Sequence, residues 1–356
     1  MLSKNPSKIL ILIVLFLFPV ILFSACSQAE LTADPSPTEL PPPTNTAVVE
    51  PTEEATNTPQ LEPTMEATNT PPPESTEEPI TIMDGLDRQV ILPAPAEKVV
   101  SLAPSNTEIL FSIGAGDQVI GRDEFSDFPE QAADLPSVGG GLGDYNLEAI
   151  VNLEPDLVLA AEINTPEQIK ALSDLGLTVF LLANPTSLDE MYVNLLTVAE
   201  LTGHLQATED FVEHLRSRVA VVDTVIATAE DIPTVFYELD ATNPSAPWTA
   251  GASTFIDTLI TQAGGENIAS DLEGQYLQLS IEEILVRDPQ VILLGDAAYG
   301  TTPESIQERS GWSNLSATVN NRIYAFDDNL VSRPGPRLVD GLEQLAKLLH
   351  PELFTD

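Results

Sequence analysis

The chain has 356 residues, with 14 Lys+Arg against 55 Asp+Glu, a formal net charge of −41. That excess of acid excludes a nucleic-acid partner, which needs a basic face to neutralise phosphate, and a polybasic grip on an anionic membrane surface. Hydrophobic residues make up 43 %, enough for a sizeable core, while 30 prolines are too many for one compact domain and point to a separate Pro-rich segment.

Lys4 and Lys8 precede an uncharged apolar run from Ile9 to Phe23, 15 residues broken by Pro19. A membrane span needs about 20 apolar residues, whereas the hydrophobic region of a signal peptide needs about 7–15. Residues 1–25 are therefore read as an export leader. Phe23-Ser24-Ala25-Cys26 follows directly, with small residues before the cysteine, the only one in the chain. Without a partner it makes no internal disulfide. This stretch resembles the lipobox of bacterial lipoproteins, with Phe23 where that motif usually has Leu. The resemblance implies acylation of Cys26 and a chain anchored through lipid on the outer face of the cell membrane.

Residues 27–79 contain 12 Pro, 11 Thr and 11 acidic residues, with no aromatic residue and no Lys or Arg. Such a composition cannot bury enough apolar surface to offset the entropy of ordering. Glu50–Pro59 recurs as Glu62–Pro71 at an offset of 12 residues, without a core-forming pattern. Residues 26–79 are read as a low-complexity tether, not a solenoid. A flexible coil of that length spans roughly 40 Å and a polyproline-like chain about 160 Å, and like charges favour extension.

Beyond the tether, 12 basic and 44 acidic residues leave the globular part at net −32. Its expected strands are Val99–Leu102, Val119–Ile120, Leu157–Ala160, Val179–Leu182, Thr234–Tyr237, Val291–Leu294 and Ile323–Phe326. Short continuous Val/Ile/Leu runs separated by helical patterns indicate buried parallel strands and an α/β protein. Ser105 with Glu108, Ser187 with Glu190 and Ser280 with Glu283 fit the capping-box pattern. Thr165-Pro166 and Thr302-Pro303 set a cap residue before a proline at the first helical position. From about Thr208 to Ala229 there is no Gly or Pro, and Phe211, Val212, Leu215, Val219, Val222 and Ile226 recur with helical period. The expected organisation is an N-terminal α/β lobe (80–205), a linking helix (206–231) and a C-terminal α/β lobe (232–356), each lobe with a mainly parallel central sheet and a ligand cleft between them. A continuous helix between lobes resists hinge bending, so only slight closure on binding is expected.

The run Lys98 to Glu108 (KVVSLAPSNTE) resembles the opening of the iron(III)-siderophore and cobalamin substrate-binding proteins of bacterial ABC importers. Further matches follow in order: Ile113–Gly116, Phe125–Pro129, Val138–Gly140 leading to Asn146-Leu147-Glu148, Leu153–Val158, Gly264–Ile268, Leu279–Ile284 and Ser332–Arg337. The resemblance covers residues 85–352. It implies the same two-lobe, single-helix fold, a small-molecule metal chelate (iron(III)-siderophore, haem or cobalamin) as ligand with no resident cofactor, an ABC permease and its ATPase as partner, and a monomer.

By the same resemblance, Glu148 and Glu282, one per lobe, meet arginines on the transporter. Glu283 and not Glu282 falls at the capping position, which leaves Glu282 free to face outward. Phe125, Trp248, Tyr276 and Arg333 are the implied ligand contacts, Tyr145 is placed at the same cleft by its loop position before Asn146, and aromatic planes with one arginine suit a large planar or chelated ligand. Two loops depart from cobalamin-binding relatives: Ala160-Ala161-Glu162 and Gly141–Asp144 each lack a tryptophan, which weakens a cobalamin assignment without excluding it and leaves a siderophore or haem open. His204, His214 and His350 are read as surface residues, and no set of His and carboxylate ligands for a bare metal ion is legible. Tyr145, Tyr237, Tyr276 and Tyr299 show no clustering in sequence that would hold ferric iron directly. No phosphate-binding loop, nucleophile elbow or zinc-protease motif is present, and no enzymatic activity is expected. The alternative to delivery into a permease is a surface lipoprotein that uses the same fold as a sensor or partner-binding module.

Overall fold

The computed structural model describes residues 78–354, apart from 142 and 143. The leader, Cys26 and all but the end of the tether lie outside the described residues. Among the described residues no helix is long and apolar enough to cross a membrane.

The N-terminal lobe opens with a hairpin of β1 (Ile80–Met83) and β2 (Gln89–Leu92) that the sequence reading does not anticipate. Asp84 closes its turn by accepting from the backbone of Leu86 and Arg88 and from the Arg88 guanidinium. Then follow β3 (Val99–Ser101), α1 (Pro104–Ser112), β4 (Val119–Arg122), α2 (Leu147–Asn152), β5 (Leu157–Ala161), α3 (Pro166–Asp174), β6 (Val179–Leu182) and α4 (Leu188–Thr202). The four strands form a parallel sheet in the order β4-β3-β5-β6. All of β5 and β6 is buried, which is why both read as unbroken apolar runs.

The linking helix is α5, Leu205–Ile226, about 33 Å long at 1.5 Å per residue. It starts close to the expected position and ends earlier than residue 231. The chain leaves it through tightened bonds from Thr228 and Ala229 to the carbonyls of Val225 and Ile226, and the Thr228 hydroxyl also bonds the Val225 carbonyl at 2.7 Å. Val212, Leu215 and Val222 are buried along one face, each contributing about 1.5–3 kcal/mol.

The C-terminal lobe comprises β7 (Thr234–Glu238), β8 (Trp248–Ala250), α6 (Phe255–Gln262), β9 (Glu266–Asn267), β10 (Tyr276–Gln278), α7 (Ile281–Arg287), β11 (Val291–Leu294), α8 (Pro303–Gln307), α9 (Ser316–Val319), β12 (Ile323–Ala325), α10 (Asn329–Ser332) and α11 (Leu338–Leu349). Its parallel sheet has the order β12-β11-β7-β9, and β8 pairs antiparallel with β10 as a separate ribbon. Helix α5 packs on α4 of the first lobe and α11 of the second. Arg218 on α5 holds α11 through Asp340 at 2.6 Å and Glu343 at 2.8 Å. One apolar cluster runs from β3 and β5 through α5 to β7, β11 and α11, so the lobes share a core at their junction. That continuity supports a stiff connection.

Several helix starts form as their sequences require. Thr165 and Gln168 make a reciprocal capping box with Pro166 at the first turn, and Thr302 and Ser305 make another. Ser187 and Ser280 cap by accepting from the backbone of Glu190 and Glu283. The glutamates do not return the bond: Glu190 takes Thr186, and Glu283 pairs with Arg287. The expected start at Ser105 is corrected, because α1 begins at Pro104 behind Ala103 and both Ser105 and Glu108 lie inside the helix, buried. Glu108 is drawn inward by two arginines rather than back to a cap.

Candidate functional site: the junction of the two lobes

The loops at the carboxyl ends of the two parallel sheets meet. Asp127 follows β4 and Arg333 follows β12 and α10, and the two are joined at 2.7 Å. Arg333 also donates to Glu108 at 2.9 Å, and Arg337 forks onto both oxygens of Glu108 at 2.6 and 2.8 Å. The Glu108 side chain is 1 % exposed, so this is a buried ion cluster spanning the lobes. Arg337 additionally stacks 4.0 Å over the Phe128 ring. Burial works against the Arg333 charge, and the bonds to Asp127 and Glu108 outweigh it, leaving its pKa raised.

On the N-terminal side, Phe125 is 47 % exposed and lines a small cavity of about 70 Å³ with Asp123, Gly140, Gly141 and Tyr145. Asp123 fixes the Phe125 turn: its oxygens accept from the Phe125 backbone at 3.0 Å and the Ser126 hydroxyl at 2.9 Å. Burial pushes the Asp123 carboxyl above its usual range despite these bonds. The Tyr145 hydroxyl donates to the Leu102 carbonyl at 2.9 Å and accepts from Asn164 at 2.7 Å. It is thereby locked into the lobe, with its hydroxyl engaged on both sides. Gly140 permits this: at φ +90°, a Cβ there would stand 2.6 Å from the Tyr145 ring.

On the C-terminal side the β8–β10 ribbon carries the two other aromatic residues. Its register sets Trp248 opposite Gln278 and Tyr276 opposite Ala250, which places both aromatics diagonally on one face. They are exposed, at 42 % and 59 %. The pKa of Tyr276 is raised by partial burial and by Asp328, and Asp328 in turn accepts from the buried Tyr237 hydroxyl at 2.9 Å. Phe125, Trp248, Tyr276 and Arg333 thus all stand on loops or ribbons at the carboxyl ends of the sheets.

Glu148 lies in the first turn of α2, which Asn146 caps, and Glu282 in the first turn of α7, which Ser280 caps. Both are exposed, and neither carboxylate has an ion-pair or side-chain hydrogen-bond partner among the described residues. Glu283 beside it is held by Arg287 at 2.7 Å, as the sequence reading of the two neighbours requires. Among the described residues no group of three or more His, Cys, Asp or Glu could hold a metal ion. Of the histidines, His350 is corrected: it is 2 % exposed, with Nε2 at 3.1 Å from the Gly264 carbonyl. Sequence reading missed Glu108, Asp127 and Arg337, whose pairings join positions more than 200 residues apart.

Two parallel α/β lobes on one linking helix, with loops of both sheets facing each other, define a two-lobe ligand-binding protein. Residues 99–330 match the periplasmic binding protein family, and the chain belongs to it. It is 31 % identical over 283 residues to the uncharacterised ABC transporter substrate-binding lipoprotein YvrC of Bacillus subtilis, covering 78 % of this chain and 88 % of that one. It is 33 % identical over 279 residues to a cobalamin-binding protein of Halobacterium salinarum, covering 76 % and 74 %. Among solved structures, the periplasmic vitamin B12 binding protein of Vibrio cholerae superposes with a TM-score of 0.63 at 30 % identity, over 74 % of this chain and all of that one. The periplasmic haem-binding protein RhuT of Roseiflexus sp. gives 0.65 at 28 % identity, over 72 % and 99 %. These relatives are substrate-binding proteins rather than enzymes.

Proposed function

We propose that the protein captures a metal chelate of the cobalamin, haem or siderophore class between its lobes and delivers it to an ABC permease, held at the outer face of the membrane by a lipid on Cys26. The observation that carries delivery is the pair Glu148 and Glu282. One sits in each lobe, each in the first turn of a capped helix, exposed and unpartnered among the described residues, while Glu283 beside the second is engaged. A helix start alone favours a carboxylate by only about 0.3–1 kcal/mol and does not require it to stay free. Two rim carboxylates in matching places suit register and on-rate at a partner bearing arginines. Capture is supported by Phe125, Trp248 and Tyr276, large aromatic surfaces left exposed around the junction.

Charge reversal tests the division of labour. Glu148→Arg or Glu282→Arg should abolish permease-dependent uptake of labelled chelate in cells and leave the affinity of the purified protein for that chelate unchanged. Uptake at the parent rate in both variants refutes docking through these residues.

A further inference from the structure

The C-terminal lobe ends its strands in acid. Glu238 closes β7, Asp240 follows two residues on, Asp296 follows β11, and Asp327 and Asp328 follow β12. Asp240 and Asp296 line a cavity of about 530 Å³ with Leu239, Thr242, Tyr299 and Ser305. Asp240 is joined to Trp248 by an antiparallel bridge, the Trp248 amide donating to the Asp240 carbonyl at 2.8 Å. Residues opposed in such a bridge share a face, so this cavity adjoins the aromatic wall of Trp248 and Tyr276.

Two features separate this cavity from an ordinary acidic surface. Asp296 is 5 % exposed, and only one of its oxygens is matched: Oδ2 accepts from the Ala241 amide at 3.2 Å and the Thr301 hydroxyl at 2.8 Å, while the buried Oδ1 has no partner among the described residues. Buried polar atoms in folded proteins almost always find one. Moreover, the neighbouring cations are taken up elsewhere. Both terminal nitrogens of Arg309 are on Glu238, Arg333 is on Glu108 and Asp127, and Arg337 is on Glu108. An anionic ligand entering the junction meets carboxylates and, among the described residues, arginines already paired, whereas a donor-bearing ligand meets a wall that includes the half-matched carboxylate of Asp296.

We propose that the Asp240–Asp296 cavity is a subsite for amide or ammonium groups at the periphery of the bound chelate, which makes the cargo a neutral or cationic chelate and excludes polyanionic ones. The assignment rests on chelate capture itself and narrows it. A tetrapyrrole carrying two free carboxylates or a tris-catecholate iron complex lacks the donors this wall calls for. An amide-fringed corrinoid or a trihydroxamate with a free ammonium supplies them.

The test uses the full chain and its tryptophan fluorescence, to which exposed Trp248 and buried Trp312 contribute, titrated with cyanocobalamin, ferrioxamine B, haemin and ferric enterobactin. Cyanocobalamin or ferrioxamine B should bind tightest, with haemin and ferric enterobactin about 100-fold weaker or worse. A hydrogen bond to a charged group sets the scale of one contact at about tenfold. Asp296→Asn should weaken the preferred chelate about tenfold, and Asp240→Asn, at an exposed position that leaves folding intact, should narrow the gap to haemin. Tightest binding of haemin or ferric enterobactin overturns the charge assignment and leaves chelate capture standing. Absence of quenching by all four overturns capture and the subsite together. Parent affinities in both variants also overturn the subsite, whichever chelate binds.

Discussion

Glu108→Gln removes the charge at the centre of the ion cluster while keeping its shape. In the parent, the buried carboxylate receives three hydrogen bonds from Arg333 and Arg337 at 2.6–2.9 Å. Each hydrogen bond to a charged group contributes about 1.5–3 kcal/mol, and an amide can accept through only one atom. Removing one partner of a buried pair costs about 3–5 kcal/mol because the remaining charge is stranded. Arg333 keeps Asp127, so the lower end applies to it, whereas Arg337 keeps only its stacking on Phe128. The expected loss is about 3 kcal/mol, and for a domain of this size the melting temperature should fall by roughly 5 °C. Differential scanning calorimetry reads this directly. A melt within about 1 °C of the parent would show that the cluster is neutral to stability and refute its role in clamping the lobes.

Gly140→Ala places a methyl group at φ +90° and 2.6 Å from the Tyr145 ring, so the ring must move and its bonds to Leu102 and Asn164 weaken. The cost should be about 1–3 kcal/mol by denaturant unfolding, and an unchanged midpoint would show that Tyr145 is not held from this side. Asp123 gives a pH signature. Its folded pKa is raised by burial, so the folded state binds more protons than the unfolded one just above pH 3.8, and stability falls as pH rises through the folded pKa. Asp123→Asn should flatten that fall in melting temperatures recorded from pH 4 to 7. A parallel pair of curves would mean that the carboxyl is not strained by burial.

The sheets were legible because β5, β6 and β11 are buried along their whole length and therefore read as uninterrupted apolar runs. The linking helix was legible because its apolar face repeats with the helical period against two different lobes. The ribbon strand Tyr276–Gln278 and the sheet-edge strand Glu266–Asn267 were not: both are short, and their pairing is fixed by partners distant in sequence. Glu108 shows the same limit at the site. Its spacing from Ser105 reads as a cap, and only the approach of Arg333 and Arg337 from the other lobe decides that it turns inward. The unmatched oxygen of Asp296 has no sequence signal at all, because its burial depends on loops after β7 and β11 closing over it.

Chelate capture at the lobe junction is the central claim, and a thermal shift against ferrioxamine B, cyanocobalamin, haemin and uncomplexed metal ions tests it most directly. A ligand at 100 times its dissociation constant should add about 2.7 kcal/mol of stability. The account predicts a clear upward shift with one chelate class and none with bare ions, lost when Trp248 and Tyr276 are both changed to alanine. Stabilisation by an uncomplexed metal ion, or no shift with any chelate, would contradict it.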